Sequence, residues 1–140
     1  MKTIVFFFLL MAGVLAACQS TQQMNAPEEA GIEISSATAE EDSVEYELLV
    51  FDPGFDTFLA TQPYPKWYYT NDYYRNWNIR YSIEWNTRHQ NPLRYGSFFE
   101  TDIPYDASVD YGLDFNFQLY QYFQFVEKEH GIILLRRRGN

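Results

Sequence analysis

The fold of this chain is decided by residues 110–131, DYGLDFNFQLYQYFQFVEKEHG. Residues three and four positions apart share one face of an α-helix, so an apolar repeat with this period predicts a buried helix. The repeat is carried by Leu113, Phe117, Tyr120 and Phe123. Asp110 can cap the first turn, and Gly131 is typical of the residue that follows a helix. The stretch therefore predicts a helix from Asp110 to about His130.

A second long element lies upstream and has features of both strand and helix. Residues 77–85 alternate apolar and polar side chains, as a strand does. Aromatic residues also fall at helical steps, at Tyr74, Trp77, Tyr81 and Trp85. Residues 66–91 contain no Gly or Pro, which makes the run too long for one strand and leaves no hairpin turn. Thr70 or Asn71 can cap its start, so the run predicts a helix over 71–89.

Short apolar segments at the two ends of the domain predict a sheet. Residues 44–51 alternate as a strand does, and residues 132–135 form an apolar run before three arginines. We expect these strands to pair, with Arg136-Arg137-Arg138 guarding the sheet edge. Residues 55–62 predict a short helix, and residues 97–101 a further short strand. The expected fold is α+β, a single small domain with two main helices packed on a sheet that pairs an N-terminal and a C-terminal strand.

Composition limits the classes of partner. The chain has 140 residues, a net charge of −9, 19% aromatic residues and one cysteine. A nucleic-acid partner would need a basic face, so we expect none. A single cysteine leaves no internal disulfide, and stability must come from the aromatic core.

The first 18 residues, MKTIVFFFLLMAGVLAAC, have the pattern of an export signal. A positive start precedes an apolar run shorter than the ~20 residues that a membrane-spanning helix needs. The ending Leu15-Ala16-Ala17-Cys18 resembles a bacterial lipobox. That resemblance implies removal of residues 1–17, palmitate-type acyl chains on Cys18 and a lipid-anchored protein of the cell envelope. An ordinary secretory signal is the alternative. Gln19 is not the aspartate associated with inner-membrane retention, which favours the outer membrane.

The next segment is acidic and polar. Residues 18–43 contain no aromatic residue and no Lys or Arg, and such a segment buries too little apolar surface to fold by itself. We predict an acylated cysteine followed by a flexible acidic tether over 18–43. The globular, aromatic-rich domain is then predicted over 44–138.

Several short motifs occur together along the domain. They are Asp52-Pro53-Gly54-Phe55, Glu84-Trp85-Asn86, Asp110-Tyr111-Gly112-Leu113 and Leu119-Tyr120-Gln121-Tyr122-Phe123. In this combination the chain resembles a family of small uncharacterised bacterial lipoproteins, a domain of unknown function, over about residues 46–131. The resemblance implies a lipoprotein with one domain, and it carries over no known activity.

No pattern typical of an enzyme occurs in the sequence. A nucleophile needs a histidine oriented by a carboxylate, and neither His89 nor His130 lies in a recognisable signature. A hydrolase built on Glu84, Arg88 and His89 is a distant third hypothesis. We expect no enzymatic activity, no catalytic residues and no cofactor.

Four aspartates recur at every fourth position: Asp102, Asp106, Asp110 and Asp114. Pro104 prevents one continuous helix through them, and their spacing does not match the twelve-residue calcium loop of an EF-hand. We expect turn and capping roles for them and no metal site.

One aromatic block is the candidate binding patch. Its members are Trp67, Tyr68, Tyr69, Tyr73, Tyr74 and Trp77. Such side chains can form a core, or they can offer flat faces and polar tips to a ligand. We expect a non-enzymatic structural or protein-interaction module with an envelope protein as partner. The alternative is a carbohydrate- or peptidoglycan-binding module that uses the patch.

Overall fold

The computed structural model describes residues 31–39 and 43–137; the predicted signal, Cys18, residues 19–30 and Arg138 lie outside them. In chain order the elements are β1 (Ile32–Ala39), β2 (Ser43–Val50), α1 (Phe55–Ala60), α2 (Asn71–His89), α3 (Pro92–Tyr95) and α4 (Gly112–Glu129). Single 3₁₀ turns lie at Lys66–Tyr68 and Ser97–Phe99. The predicted α+β single small domain with two main helices is confirmed. Within the described ranges, no helix has the length and hydropathy needed to cross a membrane.

Helices α2 and α4 form the centre of the core, and their interface is mainly aromatic. Tyr81 stacks on Phe123 with ring centroids 4.9 Å apart, and Trp85 lies 5.9 Å from Tyr122. The helix predicted over 71–89 is confirmed at both ends, and the Thr70 hydroxyl accepts a hydrogen bond from the next turn as an N-cap does. Aromatic burial therefore holds the two helices together.

Helix α4 is also confirmed, with a small difference at its start. Gly131 follows the helix with a φ of 67°, the left-handed conformation typical of the glycine that ends a helix, and the Ile132 amide donates back to the Val126 carbonyl at 3.5 Å. At the other end the N-cap position is Tyr111, and Asp110 instead accepts a hydrogen bond from the Gly112 amide at 3.1 Å.

The sheet differs from the prediction, because β2 pairs with β1 and not with the C-terminal segment. The two strands form an antiparallel pair in which Ile32 lies opposite Val50 and Ile34 opposite Leu48. Ile32 and Leu48 are buried in the core. Residues 32–39 were expected in the tether and are a strand instead. Ile32 fixes the strand to the core, the half-buried Ile34 packs against it, and β2 supplies the backbone partners.

The predicted strand over 132–135 was wrong, for a physical reason visible in its hydrogen bonds. Glu127 Oε1 accepts from the amides of Leu134 and Leu135, each at 3.0 Å. Arg88 Nη2 donates to the carbonyls of Ile133 and Leu134, at 2.9 and 3.2 Å. Side chains of α2 and α4 thus satisfy the backbone groups that a sheet would otherwise pair.

Hydrogen bonds from side chains to the backbone also explain why the strand predicted over 97–101 was wrong. The Trp85 indole donates to the Thr101 carbonyl at 2.8 Å, and His89 Nδ1 lies 2.8 Å from the Phe99 carbonyl oxygen. The Asn86 amide makes two bonds to the backbone of Ile103, one as donor and one as acceptor. Side chains of α2 hold this loop in place without a sheet partner.

Candidate binding cleft

A cleft of about 810 Å³ lies over one face of α4. One wall is the end of α1 and the loop after it, a second is the beginning of α2, and a third is the C-terminal segment. We call it the aromatic cleft, because its rings are those of Phe58, Tyr64, Tyr69, Tyr74 and Tyr120. Its size falls within the roughly 300–1,000 Å³ of small-molecule sites.

The rim of the cleft is an exposed aromatic ridge. Its members, with exposed fractions, are Tyr64 (53%), Trp67 (73%), Tyr68 (51%) and Tyr69 (40%). Tyr64 stacks on Tyr68 with centroids 4.2 Å apart, and Tyr69 stacks on Tyr73 at 4.0 Å. Stacking of the rings on one another holds the ridge in place and leaves part of each ring in contact with solvent.

The six residues of the predicted patch are neighbours, but they divide between surface and core. Trp67, Tyr68 and Tyr69 belong to the exposed ridge. Tyr74 is only 1% exposed, and its ring packs at 5.5 Å from Phe117 of α4. The remaining two, Tyr73 and Trp77, are half-buried between ridge and core. The block is thus core in one part and exposed surface in the other, and its role in binding stays a prediction.

Arg137 is the basic side chain that approaches the core at the back of the cleft. Its Nη2 donates to the Tyr81 hydroxyl at 2.6 Å and to Gln124 Oε1 at 3.0 Å, and its Nη1 donates to the Tyr120 hydroxyl at 3.0 Å. The guanidinium carbon lies 4.4 Å from the centroid of the Trp77 ring, a cation–π contact. The expected edge-guard role is therefore wrong for Arg137, which packs against aromatic rings of α2 and α4.

Glu127 links this arginine to the rest of the fold. The Tyr81 hydroxyl donates to Glu127 Oε2 at 3.2 Å while it accepts from Arg137. The carboxylate therefore compensates the half-buried positive charge of Arg137 through one bridging hydroxyl. Burial works to lower the pKa of Arg137, but its hydrogen bonds to Tyr81 and Tyr120 outweigh burial and raise that pKa.

The hydroxyls around the cleft are neutral donors and acceptors. Burial raises the pKa of Tyr69, Tyr73 and Tyr74 above that of a free tyrosine. Burial also raises the pKa of Tyr81, although hydrogen bonds from Gln124 and Arg137 oppose it. Near neutral pH these side chains therefore offer hydrogen bonds and no charge.

The Gln121 side chain is an uncharged polar group of the cleft that can both donate and accept hydrogen bonds. The residue is 8% exposed and lines the cleft. Among the residues that the structure describes, none forms a hydrogen bond with its side chain. Its amide atoms are not among the described buried side-chain atoms that lack a partner, so they reach the cleft surface and can form hydrogen bonds with a ligand.

The three residues of the hydrolase hypothesis, and His130, form bonds that connect parts of the fold. Arg88 Nε forms an ion pair with Glu84 at 2.7 Å, one helical turn away, and its other end holds the C-terminal segment. His89 contacts the Phe99 carbonyl. His130 lies at the end of α4 and pairs with Asp52 at 2.9 Å, which fastens the helix end to the turn before α1.

The four periodic aspartates do not converge. Asp106 accepts from the backbone amide and hydroxyl of Ser108, both at 2.7 Å, and these bonds lower its pKa. Asp110 accepts from Gly112, and Asp114 pairs with Lys66. Within residues 31–39 and 43–137, no group of three or more His, Cys, Asp or Glu is arranged to hold a metal.

Sequence reasoning missed the polar half of the cleft. Gln121, Gln124 and Glu127 occupy successive turns of α4, which read as polar interruptions of an apolar helix. Arg137 is the middle of three arginines, and nothing in the local sequence marks it as half-buried. The only signal available was their spacing of three, which places the α4 residues on one face.

The fold and cleft define a single small α+β domain with two long helices and an aromatic-lined site. The profile of a family of unknown function, DUF6146, matches residues 6–137, and the chain belongs to that family. No curated protein and no solved structure matches the chain.

Proposed function

We propose that this protein is a lipid-anchored, non-enzymatic binding module of the cell envelope. Acyl chains on Cys18 hold it to the outer membrane, and the aromatic cleft binds a carbohydrate such as a cell-wall glycan. The first part rests on the export-signal pattern of residues 1–18 and on the lipobox-like ending at Cys18. The family would then be one of bacterial lipoproteins.

One observation carries the carbohydrate proposal: aromatic faces and polar side chains meet at a single concave site. Sugar rings have apolar C–H faces and hydroxyl edges. Tyr64 and Tyr69 supply ring faces at the rim, while Gln121 and Arg137 supply polar groups further in. A predominantly flat patch would have favoured a protein partner, whereas a cleft with convergent polar groups favours a small ring-shaped ligand.

The binding test uses the full-length acylated protein in detergent, titrated calorimetrically with soluble peptidoglycan fragments and with oligosaccharides. We expect measurable binding, and we expect Tyr64→Ala to weaken it about tenfold, since loss of roughly 1.4 kcal/mol is a factor of ten. Tyr64 is half-exposed, so its truncation leaves the core intact.

The matched control is Leu93→Ala, which removes a fully exposed apolar side chain on α3, outside the cleft. Its affinity should equal that of the unsubstituted protein. Absence of heat with every glycan, under conditions where the protein is folded, would remove the carbohydrate proposal.

A second candidate is the protein-interaction module, and the exposure of Trp67 favours it. This ring is the most exposed of the ridge and does not line the cleft. Large aromatics of this kind are enriched where proteins bind one another. The two candidates separate by substitution: Trp67→Ala should reduce envelope crosslinking if the ridge binds a protein, and should leave glycan affinity unchanged if the cleft binds a sugar.

The lipid anchor has its own prediction. Cys18→Ser should abolish incorporation of a palmitate analogue and should move the protein from the membrane fraction to the soluble fraction, because acyl chains contribute about 0.8 kcal/mol per buried CH₂. Metabolic labelling and fractionation measure both effects. Gln19→Ala is the control and should keep the label. Equal labelling of the Cys18→Ser protein would contradict the anchor.

A further inference from the structure

We propose that the aromatic cleft selects a sugar that carries a carboxylate, over a neutral sugar of the same size. This inference rests on the proposed function and specifies its ligand class. It follows from charge, from unused hydrogen-bonding capacity and from the shape of the site.

The charge of the cleft is opposite to that of the chain. The chain has a net charge of −9. The described residues that line the cleft include the basic side chains Lys128, Arg136 and Arg137, with Glu127 as the acidic one. Glu127 is already engaged by two backbone amides and by Tyr81. An acidic ligand is therefore attracted to this part of the surface, although the protein as a whole repels it.

The positive charges lie at two depths. Lys128 and Arg136 are exposed and can meet a ligand as it enters. Arg137 is half-buried, and its hydrogen bonds to Tyr81, Tyr120 and Gln124 fix the guanidinium in place. Those bonds use one of the two Nη1 hydrogens, so a further donor remains on that nitrogen. A fixed cation costs little entropy when it binds an anion.

The uncharged groups of the cleft favour a ligand that is larger than a small anion and has a ring and hydrogen-bonding groups. The Gln121 amide can both donate to and accept from a hydroxyl or acetamido group. The exposed faces of Tyr64 and Tyr69 lie at the rim and suit the apolar face of a ring. Ring, hydrogen-bonding edge and carboxylate occur together in muramic acid and in uronic acids, which are the two ligand sources compared below.

The experiment measures affinity by calorimetry, with the full-length acylated protein, for four probes. Two are acidic: a disaccharide containing N-acetylmuramic acid and an oligomer of galacturonic acid. Two are neutral partners of similar size: an oligomer of N-acetylglucosamine and an oligomer of glucose. We expect acidic probes to bind at least about tenfold more tightly than neutral ones, with an advantage that shrinks as salt is raised.

Two double variants then test whether the cations of the cleft are the ones that attract the acidic probes. Lys128→Gln with Arg136→Gln removes two exposed cations from the cleft and should lower the affinity for acidic probes about tenfold, with little effect on neutral ones. Arg80→Gln with Arg94→Gln changes net charge equally at exposed positions outside the cleft and should change neither. The comparison separates a local effect from a change in overall charge.

Each outcome decides the inference. Preference for either acidic probe, lost in the cleft variant, supports it, and the tighter of the two identifies the source. Equal affinity for acidic and neutral sugars overturns the selectivity while carbohydrate binding stands. Equal losses in both double variants also overturn it, because the attraction would then come from net charge alone. Failure to bind any of the four probes removes the proposed function itself.

Discussion

Replacing Trp85 by alanine should lower the free energy of unfolding by about 3–5 kcal/mol, the cost typical of removing a buried large aromatic side chain. Trp85 is 1% exposed, and its ring lies 4.9 Å from that of Phe99. The same ring contacts Tyr122 and Phe123 of α4. Its indole also donates to the Thr101 carbonyl at 2.8 Å. Truncation therefore opens a cavity and leaves a carbonyl without its donor.

Chemical denaturation of the variant and of two controls measures this loss. Ile83→Ala lies on the exposed face of the same helix and should stay within about 0.5 kcal/mol of the unsubstituted protein. Trp85→Phe keeps part of the packing but loses the indole donor, so its effect should be intermediate. Equal midpoints for Trp85→Ala and Ile83→Ala would show that this residue is not central to the core.

Replacing Asn116 by leucine should destabilise the fold by about 2–5 kcal/mol, although leucine has a similar volume. Asn116 Oδ1 accepts from the Tyr105 hydroxyl at 2.6 Å, and Asn78 donates to the Asn116 carbonyl at 2.9 Å and to its Oδ1 at 3.3 Å. The Asn116 amide donates to Asn71, the first residue of α2, at 2.9 Å. Leucine would leave the part-buried Tyr105 hydroxyl and Asn71 Oδ1 without these partners, at about 1–3 kcal/mol each, while the bond from Asn78 to the backbone carbonyl would remain.

A double-mutant cycle tests whether these groups act together. Burial raises the pKa of Tyr105 to about 12, so it is a neutral donor at neutral pH. Tyr105→Phe alone should cost less than Asn116→Leu, and the two losses together should fall short of their sum, because they share one hydrogen bond. Asn76→Ala, an exposed asparagine on α2, is the control. Strict additivity would contradict the network.

The helices could be predicted because local sequence determines them. In α4 the buried face is largely apolar, so its period is visible in the sequence. In α2 the buried face includes Asn78 and Ser82 beside three aromatics, which weakens the apolar period. The lack of Gly and Pro and the Thr70 cap identified this helix instead.

The sheet and the cleft could not be predicted because they depend on contacts between distant segments. Strand β1 has a modest apolar content, and its pairing with β2 makes it a strand. The C-terminal segment has the apolar content of a strand, but the Arg88 and Glu127 side chains bind the backbone groups that a neighbouring strand would pair. Similarly, Arg137 is half-buried because Trp77 and Tyr120 come together from two helices.

Strand β1 also limits how far the cleft can stand from a bilayer. Gly31, the residue before this strand, is thirteen positions after the proposed acylation site at Cys18, about half the length of the tether expected from the sequence. A chain spans at most about 3.5 Å per residue, so the domain begins no more than roughly 45 Å from its acyl chains. Because the accessible volume grows with the cube of the maximum reach, a connecting segment of half the length reduces the largest volume that the domain can sample about eightfold. If Cys18 is acylated as proposed, the domain is thereby concentrated on ligands close to the membrane surface.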